Sequence, residues 1–239
     1  MRRRRHRTTK SRVRARTERP LRPTIVSAAR LGRRPRRRVG LLGGSFNPAH
    51  DGHRHVAAEA LRRLRLDEVW LLVSPQNPLK SDSDMAPAVR RLASAAQIAR
   101  GPRLSARLIE TELGTRFTAD TLDALVRRFP RTRFVWLMGA DNLRQIACWE
   151  RWTRIFHTVP IAVFARPGYD NSLIGKAPRR FASKRIAEAR AGRLGASKPP
   201  AWVFMHTRLH PASASAIRAR RRTQEDGANG TADRAPPRR

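Results

Sequence analysis

The chain has 239 residues, a formal net charge of +34 at pH 7, 40% hydrophobic residues and a single cysteine. That length suits one sizeable domain or two small ones. No apolar run reaches the roughly 18 residues needed to cross a bilayer or matches a secretory signal; one cysteine excludes an internal disulfide and suits a reducing, cytoplasmic setting.

Residues 1–38 hold sixteen Arg and one Lys against one Glu, nearly half of the excess charge. This leader has almost no apolar periodicity and cannot bury enough surface to offset the entropy of ordering, so it is expected to be disordered. The plain reading is a solvated basic tail; the sharper one is a nucleic-acid arm. After Arg38, "VGLLGGSF" is a short apolar run ending in Gly-Gly, which predicts a buried strand feeding a tight turn. "HRHVAAEALRRLRL" follows with Val56, Ala60, Leu61 and Leu64 at helical spacing, and "EVWLLVS" predicts the next strand. A polar loop, "SPQNPLKSDSDMAP", leads to a helix in "VRRLASAAQIAR" and a strand in "RLSARLIE" that runs into a loop. "TADTLDALVRRF" predicts a helix with Leu122, Leu125 and Val126 on its apolar face. "RFVWLMGAD" predicts a strand, "NLRQIACWERWTRIF" a broken or kinked helix, and "VPIAVFARPGY" a strand that stops at Pro167. Residues 178–192 predict a basic helix, "AWVFMH" a last strand and "SASAIRAR" the start of a last helix. The alternation predicts an α/β, Rossmann-like open parallel sheet with helices on both faces. The expected organisation is a leader over 1–38, one domain over 39–219 and a disordered tail over 220–239.

In such sheets ligands bind beyond the carboxyl ends of the strands. Three marked segments follow strand ends, namely Gly43–His55, Gly139–Trp149 and Arg166–Tyr169, and are expected to converge. "GGSFNPAHDGHRH" allows three readings. His50, His53 and His55 could bind a metal, but zinc helices space their histidines at i and i+4, and no second cluster completes a set. The stretch could bind phosphate, because glycines admit a close backbone and the next helix presents free N–H groups. It could also be a plain turn with incidental histidines. It is neither a P-loop nor a GxGxxG.

"GSFNPAHDGH" resembles the HxGH signature of the nucleotidylyltransferase superfamily, with His50, Gly52 and His53 in its fixed positions. "ASASAIR", residues 212–218, loosely resembles the superfamily's second signature, ISSTxIR. Within the superfamily the chain resembles the nicotinate-nucleotide adenylyltransferases: "SPQNPLK", "FTADTL", "MGADNL…CWERW" and "ARPGY" are similar to that family's stretches. Phe117 stands for the family's Tyr, and Ser45 and Asn47 for its usual Thr and Asp. The resemblance covers about residues 39–219 and implies transfer of the adenylyl group of ATP to nicotinate mononucleotide, releasing pyrophosphate. It implies that His50 and His53 hold the ATP phosphates, that the backbone of Gly43, Gly44, Ser45 and Phe46 touches the nucleotides, and that Lys80 meets the leaving pyrophosphate. Ser213, Ser215 and Arg218 would cradle the outer phosphates, Asp141 a ribose or the adenylate, and Mg²⁺ would arrive with ATP; no protein metal ligand is expected. The N–H groups of Thr118 and Glu150 would receive the pyridine carboxylate beneath Trp149. Each has a plainer alternative: Lys80 and Arg218 as surface charges, Trp149 as core, Asp141 and the serines as helix caps. Trp70, Trp136, Trp152 and Trp202 are read as core or packing, and His55, His157, His206 and His210 as structural or exposed. Arg91 and Asp120 match family positions without an assigned role. The rivals are another HxGH enzyme, such as a pantetheine-phosphate adenylyltransferase or a cytidylyltransferase, and a basic nucleic-acid-binding protein. The last would need aromatics among its arginines, which the leader lacks.

Overall fold

The structure is a computed structural model and describes residues 37–75, 85–212, 214–220 and 223. Residues 1–36, Lys80, Ser213 and the tail from Gln224 lie outside the described residues. Arg37 and Arg38, read as leader, belong to the folded part, since the Arg38 N–H and carbonyl both bond to Asp67 and the Arg37 carbonyl accepts the Arg133 N–H; Arg220, read as tail, is helical. Six strands among them, β1 (Arg38–Gly44), β2 (Glu68–Val73), β3 (Leu104–Arg107), β4 (Arg133–Gly139), β5 (Ile161–Phe164) and β6 (Trp202–Met205), form one sheet. Its order is β3-β2-β1-β4-β5-β6 with every neighbouring pair parallel.

The strands are apolar at nearly every position because both faces of the sheet are covered, as all-parallel sheets require. Side chains alternate between two cores. Val39, Leu41, Trp70, Leu72, Phe134, Trp136, Met138, Ile161, Val163, Trp202 and Phe204 line one face. Leu42, Val69, Leu71, Val73, Val135, Leu137, Ala162, Phe164, Val203 and Met205 line the other. Helices α1 (Asp51–Arg63) and α2 (Ala88–Ile98) cover the second face. Helices α3 (Ile109–Leu113), α4 (Thr118–Arg128), α5 (Ala140–Gln145), α6 (Trp152–Thr158) and α7 (Lys176–Arg180) lie with the first. Residues 214–220 form α8.

All six expected strands form. Trp70, Trp136 and Trp202 are core as expected, and Trp152 packs against that core. α4 buries Ala119, Leu122 and Leu125, but Val126 stays exposed. The run after "RLSAR" is the helix α3, not a loop, closed by Gly114 at a left-handed φ of 64°. Residues 178–192 do not form one helix. α7 ends at Arg180 and short 3₁₀ turns follow at Ala182–Lys184 and Glu188–Ala196. Between them the chain is extended, Arg185 bridging to Trp202 and the Ile186 N–H donating to the Trp202 carbonyl, so β6 takes the backbone that a helix would use. The expected break in residues 142–156 is real. α5 passes through a 3₁₀ turn, Ile146–Cys148, and the chain turns at Arg151, whose φ is 48°, before α6.

β1 is the point at which strand order reverses. β2 and β3 are added on one side, β4 to β6 on the other, so loops leaving β1 and β4 diverge and open a crevice between them.

Candidate active site

The crevice is built first from the turn after β1. Gly43 has a packing reason to be glycine: a Cβ there would run into the Trp136 ring on β4. Phe46 has a left-handed φ of 47° and is 1% exposed, its ring centroid 4.7 Å from that of His53. His50 is the N-cap of α1 and His53 its third residue, one turn on. Their rings stack loosely at 3.8 Å. A Cβ at Gly52 would lie 2.9 Å from the His50 ring and 3.1 Å from the Ala212 carbonyl, so the glycine lets ring and chain close over the start of the helix.

One hydrogen bond determines which proton His53 carries. The His50 backbone N–H donates to His53 Nδ1 at 3.2 Å. Nδ1 is therefore an acceptor, and a neutral ring must carry its proton on Nε2. Burial, aided by His50 and the Arg166 guanidinium, pushes His53 down to about 3. Burial, then Arg166 and His210, pushes His50 down to about 4. Both imidazoles are neutral near pH 7. Among the described residues His50 Nδ1 is buried without a hydrogen-bond partner.

The other two marked segments reach the same crevice. Asp141 opens α5 just past β4, and its Oδ2 lies 3.4 Å from Nη1 of Arg166, which follows β5. Asp141 Oδ1 is buried with no partner among the described residues. The second motif also arrives: Arg218 Nη1 on α8 donates to the Asn47 carbonyl at 2.6 Å, and Arg218 Nε is buried with no partner among the described residues. Asn47, where the resembling family has Asp, keeps an acceptor in use, since its Oδ1 takes the Ala86 N–H at 3.3 Å. Ser215 is exposed.

A second group sits beside α4. Thr118 opens that helix, where the first N–H groups have no partner within the helix. Trp149 is half-buried, one side against the core, and Glu150 is exposed in the turn that follows. Arg151 Nη2 lies 2.5 Å from both oxygens of Asp120, and Arg154 pairs with Asp123 at 2.6 Å. The first pair ties the Trp149–Arg151 turn to the start of α4, and the second ties α6 to the middle of that helix. Sequence reasoning gave Asp120 no role and passed over Arg166 as a site residue. The signal for Asp120 was its place in "TADT", and for Arg166 its place just beyond a strand end.

The chain can be set beside known proteins. Residues 41–220 match the model of the cytidylyltransferase-like family. A protein of Cereibacter sphaeroides named "probable nicotinate-nucleotide adenylyltransferase" is 53% identical over 182 residues, 76% of this chain and 96% of that protein. A relative of the same name from Parvibaculum lavamentivorans is 52% identical over 187 residues, 78% of this chain and 93% of its own. One from Methylorubrum extorquens is 49% identical over 184 residues, 77% and 100%. The fold matches the nicotinic acid mononucleotide adenylyltransferase of Plasmodium falciparum, solved with NaAD, with a TM-score of 0.58, 16% identity, and coverage of 77% of this chain and 83% of that one. A parallel sheet of this order, an HxGH turn at its switch point and these relatives place the chain in the cytidylyltransferase-like family, among the nicotinate-nucleotide adenylyltransferases.

Proposed function

We propose that this site transfers the adenylyl group of ATP to nicotinate mononucleotide, giving nicotinate adenine dinucleotide and pyrophosphate, with the His50–His53 turn as its phosphate-binding centre. The observation that carries the reading is the His53 ring, fixed by the His50 N–H at Nδ1 so that the proton is left on Nε2 as a donor. Relatives about half identical over nearly their whole length carry the same activity in their names.

An oxygen of the mononucleotide phosphate bonds to the α-phosphorus of ATP. The bond from that phosphorus to the bridging oxygen of the β-phosphate breaks, and its electron pair leaves on pyrophosphate. A phosphate monoester is already ionised near neutral pH, so no general base is needed. Catalysis reduces to positioning and neutralising charge. His53 Nε2–H donates to the oxygens of the α-phosphoryl group as charge gathers there. His50 bonds to the same phosphate chain, and Gly43 to Phe46 bring backbone close to both nucleotides. Arg218 and Ser215, with Ser213 beside them in sequence, take the β- and γ-phosphates, and Lys80 meets the departing pyrophosphate. The unpartnered Asp141 Oδ1 accepts from a ribose hydroxyl. Thr118 and Glu150 offer N–H groups to the pyridine carboxylate, and Trp149 covers the ring.

Among the described residues no three His, Cys, Asp or Glu side chains gather to hold a metal. Asp141 is already paired with Arg166. Mg²⁺ would come with ATP and would supply charge neutralisation at its phosphates. None of the described helices is long and apolar enough to cross a membrane, and Cys148 is a free, exposed thiol; we place the reaction in the cytoplasm. The test is incubation of the full chain with Mg²⁺, ATP and one acceptor at a time. Pyrophosphate together with nicotinate adenine dinucleotide is expected from nicotinate mononucleotide. Turnover with phosphopantetheine in its place, or adenylate transfer to neither, would overturn the reading.

A further inference from the structure

Among the described residues Arg91, on α2, is the only Lys or Arg that is buried, at 2% exposure. Among the described residues no carboxylate pairs with it. Its guanidinium instead donates to four backbone carbonyls from three places along the chain. Nε reaches Ala86 at 2.8 Å, Nη1 reaches Ser45 at 2.8 Å and Ser74 at 2.5 Å, and Nη2 reaches Pro75 at 2.6 Å. Burial pushes the group below the usual arginine range, yet guanidinium remains the cation best able to keep its charge there, and its planar fork fits several carbonyls at once. Three turns along the same exposed edge meet on this one group. Ser45 follows β1, Ser74 and Pro75 follow β2, and Ala86 leads into α2. Pro75 and Ala86 also flank the stretch of sequence that contains Lys80. One turn further along α2, Ser94 Oγ accepts the Ala49 N–H at 3.1 Å, a second tie on the same loop.

The bond to Ser45 matters most for chemistry. The next residue, Phe46, is held at a φ of 47°, where side-chain-bearing residues are strained. Such strain persists only when the surroundings over-determine it. The Phe46 ring in turn is packed against His53. Releasing the Ser45 carbonyl lets Phe46 relax and takes away the wall behind the imidazole.

We propose that Arg91 is a positioning residue for adenylyl transfer: by tying the carbonyls of Ser45, Ser74, Pro75 and Ala86 it holds the Phe46 turn, and through it His53, in the reactive arrangement. The proposal rests on the reading of His53 as the phosphate-binding donor. It assigns Arg91 no contact with either nucleotide.

Arg91→Gln and Arg91→Lys in the full chain test it. An ammonium has three donors from a single point and cannot reproduce the fork. A misplacement of about 1 Å at a reacting group costs about 10²-fold in rate. Arg91→Gln should therefore lower kcat about 10²-fold and Arg91→Lys about tenfold by the same argument, with KM for ATP and for nicotinate mononucleotide changed less than about threefold. The ¹⁵N ring signals of His53, which report an accepting Nδ1 in the wild type, should shift in both variants. If Arg91→Gln does not fold, Arg91→Lys decides alone. A folded variant with wild-type kcat and unmoved His53 signals would overturn the proposal. His53→Ala separates the two readings: if that variant keeps full turnover, the site assignment fails whatever Arg91 does. If it loses turnover while Arg91→Lys changes neither kcat nor the ring signals, only the positioning role fails.

Discussion

His53→Ala removes a donor and a small piece of structure at once, and the two losses fall on different measurements. The donor is Nε2–H, because Nδ1 is occupied by the His50 N–H. Loss of one preorganised donor to a developing oxyanion costs about 10² to 10³ in kcat, or about 2.7 to 4 kcal/mol. The structural part is smaller. The His50 N–H loses a neutral acceptor, worth about 0.5 to 1.5 kcal/mol. His50 is only 7% exposed, so its N–H has little access to water and the upper end applies. In a domain of this size about 1 kcal/mol lowers Tm by about 2 to 4 °C. The expected outcome is a kcat drop of two to three orders of magnitude with a Tm loss of a few degrees. Pyrophosphate release at saturating substrates and calorimetry of the same preparation measure both. A variant with turnover within threefold of wild type would refute the reasoning, because nothing else in the derivation lets the ring be dispensable. A large Tm loss with unchanged kcat would make His53 a helix cap and no more.

The acceptor site should choose acid over amide. Two charge-assisted bonds at about 1.5 to 3 kcal/mol each are lost with nicotinamide mononucleotide, so kcat/KM should favour the acid by on the order of 10² or more; equal use of both acceptors would sink the donor pair at Thr118 and Glu150. Trp149→Ala should raise KM for both acceptors and leave that for ATP unchanged, and an unmoved acceptor KM would return Trp149 to the core. Stability should fall with acid. The folded-state values of His50 and His53, about 4 and about 3, lie below the ordinary 6.5, so the unfolded chain binds more protons below pH 6.5 and stability is lost as pH falls from there toward 4 and 3. Glu110 acts oppositely: burial pushes it up to about 7 against a hydrogen bond from Ser74, so it takes stability away as pH rises from 4.5 through 7. Glu110→Gln should raise Tm at pH 8 relative to its effect at pH 4, and an equal effect at both would show that the carboxyl titrates normally. Removing residues 1–36 should leave Tm and kcat intact while weakening salt-dependent retention on nucleic acid; Arg37 is kept because it pairs with Glu68 and its carbonyl accepts the Arg133 N–H.

Much of this fold could be read because the sheet is buried on both faces. A strand such as "RFVWLMG" then has no polar position after Arg133 to confuse its period, and the Gly-Gly and Met-Gly-Ala ends mark where the chain leaves the sheet. What could not be read depended on contacts made far away in sequence. The basic stretch after Pro178 has helical spacing, but β6 draws Ile186 into an extended turn, and no local rule carries that information. The same holds for the site. The HxGH residues declare themselves, since a short motif fixes both the helix start and its histidines. Arg91 and Asp120 do not, because their partners are backbone carbonyls of three other turns in one case and an arginine 31 residues away in the other.

The electrostatics explain why the histidines suit a phosphate-transfer site while being uncharged. The positive charge at the site comes from the guanidinium groups of Arg166 and Arg218. Arg166 is itself one of the causes that keep both imidazoles neutral. A neutral Nε2–H donor holds one proton in one place, fixed by the bond at Nδ1, and needs no reorganisation as charge shifts from the α-phosphoryl oxygens to the leaving group. An imidazolium would have to give up the His50 N–H, since both ring nitrogens would then be donors. The bond that caps α1 is thus also the bond that fixes the donor, and a substitution cannot disturb one role without the other. That is why the decisive comparison at this site is between turnover and melting temperature in the same variant.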